Sequence, residues 1–157
     1  MRTTDALLGG LAGSALLTAT HETLRRTVPK APRMDLLGME AIRKLLAKGH
    51  PNQPGTARLF WITMAGDLLT NALYYSLGGV KAKHPVVRGT ILGIAAGIGG
   101  VLLPQPLGLN EQHSMRTAAT ALMTIGIYTL GGLAAGLVLR LLQKKREPKH
   151  PNAELVL

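Results

Sequence analysis

Residues 61–76, WITMAGDLLTNALYYS, are apolar apart from an aspartate near the centre and an asparagine one helical turn later. The apolar run extends over 59–80, and it predicts a membrane-spanning helix because about 20 largely apolar residues cross a bilayer. A charged carboxylate at mid-bilayer costs at least about 2.5–3.5 kcal/mol on insertion scales. Asp67 and Asn71 are therefore expected to face the interior of a helical bundle.

Three other stretches also have the length and apolar character of spans, namely 6–24, 86–103 and 117–142. The sequence therefore predicts an all-α polytopic membrane bundle of four transmembrane helices, forming a single domain over 1–146 with a flexible polar tail over 147–157. We expect the first run to be an uncleaved span, because no convincing cleavage site precedes charged sequence. The protein is accordingly predicted to be integral to a bacterial-type inner or plasma membrane.

The net charge of +10 is carried by basic residues clustered between the apolar runs. Their expected partners are anionic headgroups of the lipid bilayer near the basic loops, not nucleic acid. With four spans, nine basic residues fall on each side, so the positive-inside rule leaves the orientation open. Three alternatives are compatible with this count: a third segment that re-enters without crossing, insertion in both orientations with antiparallel dimerisation, or a failure of the rule for this chain.

The connection between the first two spans predicts an amphipathic helix over 35–48, with Asp35 as its N-cap. One face carries Met34, Ala41, Ile42, Leu45 and Leu46, and the other carries Glu40, Arg43, Lys44 and Lys48. This pattern is typical of an interfacial helix lying on the membrane surface. Docking on a partner or facing a lumen remains the alternative.

Glycines recur every four residues in three of the predicted spans. They are Gly9 and Gly13, then Gly89, Gly93 and Gly97, then Gly132 and Gly136. Small residues at this interval let helix backbones approach closely in lipid. The pattern, a glycine zipper, predicts tight packing within the bundle, with a homo-oligomer face as the alternative.

Polar side chains follow one face of three predicted spans, at near-helical spacing. They are Thr63, Asp67, Asn71 and Tyr74; Ser14, Thr18, His21 and Arg25, with Glu22 beside them; and Thr117, Thr120, Thr124 and Tyr128. One interpretation is a polar cavity in which Glu22 and Asp67 exchange protons or cations. Asn71, Tyr74, Thr124 and Tyr128 would line this cavity, with His21 and Arg25 as further ion- or ligand-binding candidates.

A second interpretation is that Asp67 pairs with a cation of the first span and joins two helices. Under it, the expected partners of Asp67 are His21 and Arg25. Ligand recognition without translocation is a third. Hydroxyl groups commonly bond to their own helix backbone, so the Ser and Thr stripes do not separate these interpretations.

No catalytic or metal-binding motif is present in the sequence. The chain has no cysteine, and HETLR at 21–25 lacks the second histidine of a zinc-protease helix. No metal and no cofactor are therefore predicted, and an enzymatic role is disfavoured. The leading hypothesis is proton- or cation-linked binding or movement of a small solute. The alternatives are an accessory or structural subunit of a larger membrane complex and an interfacial, lipid-directed enzyme.

Overall fold

The computed structural model describes residues 3–47, 54–80 and 82–146, and within these ranges the chain forms helices and no strand. The elements are α1 (Thr3–Thr27), α2 (Met34–Ala47), α3 (Thr56–Ser76), a 3-10 turn (Leu77–Gly79), α4 (Pro85–Leu102), α5 (Gln112–Met115) and α6 (Ala118–Arg146). The all-α prediction is confirmed. The tail predicted over 147–157 lies outside the described residues, as does Lys48.

Helix α6 is the centre of the bundle, with α1 packed on one side and α4 on the other. A Cβ atom added to Gly9 would lie 2.5 Å from Cγ of Leu139, so the start of α1 meets the end of α6. Helix α3 packs on α1 and has few contacts with α4. The four long helices therefore alternate in direction, and α3 and α4 leave a groove between them.

Two of the helices, α4 and α6, are long and apolar enough to cross a membrane. Helices α1 and α3 do not reach the same hydropathy, so the four-span bundle stays a prediction. Helix α4 is continuous and runs along α6, with Gly136 beside Val86 at one end and Gly97 beside Ile125 towards the other. Its two ends therefore lie at opposite ends of the bundle, which does not fit a re-entrant third segment.

The second helix differs from its predicted form in the residues that it buries. Leu37 and Met39, which lie outside the predicted apolar face, are buried, whereas Leu45 on that face is 72% exposed. The reason is tertiary: α2 packs on α3 and α5. Met34, Ala41 and Ile42 of the predicted apolar face line a cleft against α1 and α3, and the placement of this helix on a membrane surface stays a prediction. The loop after α4 contacts the polar side of α2. Glu40 accepts a hydrogen bond of 3.0 Å from the Asn110 backbone N–H, and Lys44 donates to the Gly108 carbonyl.

One end of the bundle collects the end of α1, the turn after it, the start of α3, α5 and the start of α6. We call it the arginine end, because Arg25, Arg33, Arg58 and Arg116 lie there. The turn between α1 and α2 is tied down by the Arg33 backbone N–H, which donates to the His113 carbonyl at 2.7 Å. The hydroxyl of Thr120 donates to the Lys30 carbonyl at 2.9 Å.

Candidate functional site

Asp67 lies in the middle of α3, largely buried, and among the described residues Asn71 is the one hydrogen-bond partner of its carboxylate. The side-chain amide of Asn71 lies 2.9 Å from the Asp67 carboxylate and 2.9 Å from the Asp67 backbone carbonyl. Within the described residues, no Lys, Arg or His forms an ion pair with Asp67. The predicted pairing with His21 or Arg25 is therefore wrong.

The packing register of α1 and α3 explains the missing pair. The Ser14 hydroxyl donates to the Leu68 carbonyl at 2.7 Å, which places Ser14 at the depth of Asp67. His21 is seven residues further along α1, about 10 Å at 1.5 Å per residue. The sequence could not predict this register. A polar stripe shows which side of a helix faces the bundle, but not how far one helix is shifted along its neighbour.

His21 and Arg25 instead converge on Asp35, a carboxylate that the sequence analysis treats only as a helix cap. Nε2 of buried His21 lies 3.2 Å from the Met34 backbone N–H nitrogen, 3.2 Å from the Pro32 carbonyl and 4.0 Å from Asp35. The Arg25 guanidinium lies 3.9 Å from Asp35. Asp35 therefore joins α1 to α2 at the arginine end.

Asp35 is 2% exposed and is bound by its neighbour Arg33 through two hydrogen bonds of 3.0 and 2.8 Å. Burial opposes ionisation, but the hydrogen bonds and positive charge of Arg33 outweigh it and lower the pKa of Asp35 below its usual range. The capping role predicted for Asp35 is wrong. Helix α2 begins at Met34, one residue before Asp35, and the Asp35 carboxylate accepts two hydrogen bonds from the Arg33 side chain.

Glu22 is not part of the buried site. Its carboxylate accepts hydrogen bonds of 2.5 and 2.6 Å from Arg25 and one of 3.0 Å from Arg26, all within the last turns of α1. It lines neither of the clefts described next. The prediction that Glu22 and Asp67 share a cavity is therefore wrong.

A first cleft of about 290 Å³ lies between α1, α2 and α3, and Asp67 lines it. The hydroxyl of Thr63, one turn before Asp67, is buried there without a hydrogen-bond partner among the described residues. The cleft is otherwise mostly apolar. Its other lining residues are Leu17, His21, Met34, Gly38, Ala41, Ile42, Met64, Gly66 and Thr70.

A second cleft of about 570 Å³ is the groove between α3 and α4, floored by α6. Asn71, Tyr74 and Tyr128 provide its polar groups, and Thr70 lines both clefts. The Tyr74 hydroxyl crosses the groove to donate to the Leu92 carbonyl at 3.1 Å. The Tyr128 hydroxyl has no hydrogen-bond partner in the described part of the chain.

Thr124, which is predicted to line the cavity, lies in the core, and so does Tyr75, for which the sequence predicts no role. Thr124 is fully buried, with its hydroxyl 2.7 Å from the Ser114 carbonyl and 3.0 Å from the Thr120 carbonyl, and it lines neither cleft. Tyr75, absent from the predicted site, is fully buried and donates to the Tyr128 carbonyl at 2.8 Å. No signal in the sequence separates Tyr75 from its neighbour Tyr74.

The glycines singled out in the sequence lie at helix contacts within the chain. A Cβ atom on Gly93 would lie 2.6 Å from the Tyr128 carbonyl oxygen, and one on Gly97 would lie 2.6 Å from Cα of Ile125. Gly89 meets Gly132 and Gly136 on the same seam, and Gly13 meets Gly131 and Ala135 on α6. The role of these residues in a homo-oligomer stays a prediction.

Sequence reasoning missed a further buried carboxylate, Asp5, which is 1% exposed in the first turns of α1. Asp5 lies one residue before the predicted first span, so it is not among the polar residues predicted within the spans. Within residues 3–47, 54–80 and 82–146, no group of three or more His, Asp or Glu side chains is placed to hold a metal ion.

The chain matches no protein-family model, no curated protein and no solved structure.

Proposed function

We propose that this protein is a four-span membrane protein that binds a small solute in the clefts beside Asp67, with Asp67 exchanging a proton or a small cation. The observation that carries the proposal is a largely buried carboxylate that has an amide donor and forms no ion pair with any described Lys, Arg or His. Structural carboxylates in low-dielectric surroundings are normally paired, so an unpaired one in a cleft marks a functional site.

The outer surface of the bundle supports the placement of all four long helices in lipid. On α1, every exposed residue from Leu7 to Ala19 is Leu or Ala. On α3, the exposed residues from Trp61 to Leu77 are apolar or glycine except Thr70, whose hydroxyl bonds back to the Gly66 carbonyl at 2.8 Å. Such a belt is costly in water and favourable in a bilayer.

Part of the lower hydropathy of α1 and α3 comes from polar residues that face inwards. Ser14 and His21 on α1 are 0% and 3% exposed, and Thr63 and Asn71 on α3 are 4% and 9% exposed. Inward polar residues do not meet lipid, so they lower the mean hydropathy of a helix without opposing its insertion as part of a bundle.

Single cysteines test the four-span arrangement, since the chain has none of its own. Leu11→Cys on α1 and Leu69→Cys on α3 replace outward residues that are 49% and 62% exposed. We expect a charged maleimide to leave both unlabelled in intact membranes, while Ala57→Cys at the exposed start of α3 is labelled. Labelling of Leu11→Cys or Leu69→Cys at the rate of Ala57→Cys would contradict the arrangement.

Thermal unfolding of the purified protein tests the exchange site. Wild type, Asp67→Asn and Asp35→Asn are compared across pH and with a panel of monovalent and divalent cations. We expect the melting temperature of wild type to respond to one cation or to pH above about 4, where Asp35 stays ionised, and this response to be absent in Asp67→Asn. Asp35→Asn is the control: it removes a paired carboxylate and should keep the response. A response that survives Asp67→Asn, or is absent from wild type, would contradict the proposal.

A further inference from the structure

Four arginines line one pocket at the arginine end, and neither the fold nor the Asp67 site accounts for them. The pocket has a volume of about 240 Å³ and lies between the end of α1, the turn that follows it and the residue directly after α5. Its lining residues are Arg25, Arg26, Thr27, Val28, Pro29, Ala31, Arg33 and Arg116. Among the described residues, two carboxylates contact these four arginines, Glu22 and Asp35, so the pocket keeps an excess of positive charge within this part of the chain.

Three of the guanidinium groups are held in place by contacts within the chain. Glu22 binds one edge of Arg25 at 2.5 and 2.6 Å, and Asp35 binds one edge of Arg33 at 3.0 and 2.8 Å. Arg116 donates to the Pro29 carbonyl at 3.0 Å. A guanidinium has five N–H donors, so donors remain on each group for an anion.

The aromatic residues of α3 give the depth of this pocket in the bilayer. The Arg25 guanidinium lies 5.4 Å from the ring centre of Phe60, and Phe60 lies edge-to-face with Trp61 at 5.4 Å. Trp61 is 70% exposed on the outer surface. Exposed aromatic rings at the end of a span lie at the headgroup level of a membrane, so the pocket opens where lipid phosphates are.

The end of α1 weighs against an anion here, because the C-terminus of a helix carries about half an elementary negative charge. The excess of guanidinium groups is larger than this and is closer to the pocket. The planar fork of Arg also matches phosphate oxygens in a way that a lysine ammonium does not.

From the pocket, its charge and its depth we infer that Arg25, Arg26, Arg33 and Arg116 bind a phosphate group, supplied by an anionic phospholipid. The inference rests on the membrane placement in the proposed function and not on the role of Asp67. A water-soluble phosphate would satisfy the same arginines, so the experiment has to separate the two sources.

The single tryptophan of the chain, Trp61, reports on this pocket. The protein is reconstituted in phosphatidylcholine vesicles that contain either brominated phosphatidic acid or brominated phosphatidylcholine, and quenching of Trp61 fluorescence is measured at equal mole fraction. Arg26→Gln and Arg116→Gln each remove one arginine of the pocket. Arg43→Gln is the matched control, because Arg43 is exposed at the same end and outside the pocket.

We expect brominated phosphatidic acid to quench at several-fold lower mole fraction than brominated phosphatidylcholine. Each pocket variant should lower this preference by about fivefold, the effect of one basic residue near an anionic headgroup, and Arg43→Gln should keep it. Loss of the preference in millimolar inorganic phosphate, but not in sodium chloride of equal ionic strength, would support the arginine site and assign it to soluble phosphate.

Equal quenching by the two lipids, or a preference that both pocket variants retain, would overturn the inference and leave the Asp67 proposal intact. Absence of quenching by either lipid would overturn the membrane placement itself, and with it both proposals. Circular dichroism of each variant confirms that the helices are formed. Agreement between the two single variants excludes a folding defect peculiar to one of them.

Discussion

The Asn71 side-chain amide lies 2.9 Å from the Asp67 carboxylate, and this is the one hydrogen bond that the carboxylate receives from the described residues. The same amide contacts the Asp67 backbone carbonyl at 2.9 Å, which fixes its orientation. Asp67 lines the cleft towards α1, and Asn71 lines the groove towards α4. A ligand in the groove that displaced this amide would therefore change the surroundings of the carboxylate.

Asn71→Ala is expected to shift the pH or cation response of thermal unfolding, because it removes the donor that contacts Asp67. Ser14→Ala is the matched control, since it also deletes a polar contact at this depth, the bond of 2.7 Å to Leu68, without touching Asp67. Each variant should lose about 1 kcal/mol of stability. An unshifted response in Asn71→Ala would show that the amide does not tune the carboxylate.

Gly93→Ala is expected to destabilise the bundle by separating α4 from α6. The new methyl group would lie 2.6 Å from the Tyr128 carbonyl oxygen and 2.8 Å from Cα of Thr129, and neither backbone atom can move aside. A loss of about 1–3 kcal/mol is expected from overpacking, measured by unfolding in detergent. Gly126→Ala on α6, where nothing lies within 4 Å, should be neutral or stabilising by up to about 1 kcal/mol.

Tyr75→Phe and Tyr128→Phe are expected to differ in their effect on the stability of the protein. Tyr75→Phe removes a buried hydrogen bond of 2.8 Å to the Tyr128 carbonyl and should cost about 1 kcal/mol. Tyr128→Phe removes a hydroxyl that has no partner in the described residues, so the stability of the protein alone should not change. If Tyr128→Phe destabilises as much as Tyr75→Phe, the groove hydroxyl is structural.

Asp35→Asn is expected to remove an acid-sensitive part of the stability. The pKa of Asp35 is lowered in the folded state, so its contribution is fully present above the unfolded value of about 3.9. It is lost as pH falls from there through the lower folded pKa. The stability difference between wild type and Asp35→Asn should therefore be largest near neutral pH and shrink below about pH 4. A difference that is constant with pH would contradict the ion pair with Arg33.

Helix type and most helix positions could be predicted from the sequence, because apolar runs and their breaks are local features. The partners of single residues could not. The stripe on α3 correctly placed Asp67 and Asn71 on one face, but the depth of α1 against α3 depends on contacts such as Ser14 with Leu68. The burial of Leu37 and Met39 on α2 could not be predicted either, since it is set by α3, α5 and the loop after α4.

The measurement that tests the central claim most directly is infrared difference spectroscopy of the carboxyl groups in reconstituted protein, as pH is changed and as cations are added. The account predicts a protonated-carboxyl C=O band that responds to one of these changes, is lost in Asp67→Asn and is retained in Asp35→Asn. A spectrum in which no responding band depends on Asp67, over the whole pH range in which the helices remain folded, would contradict the claim that Asp67 is an exchange site.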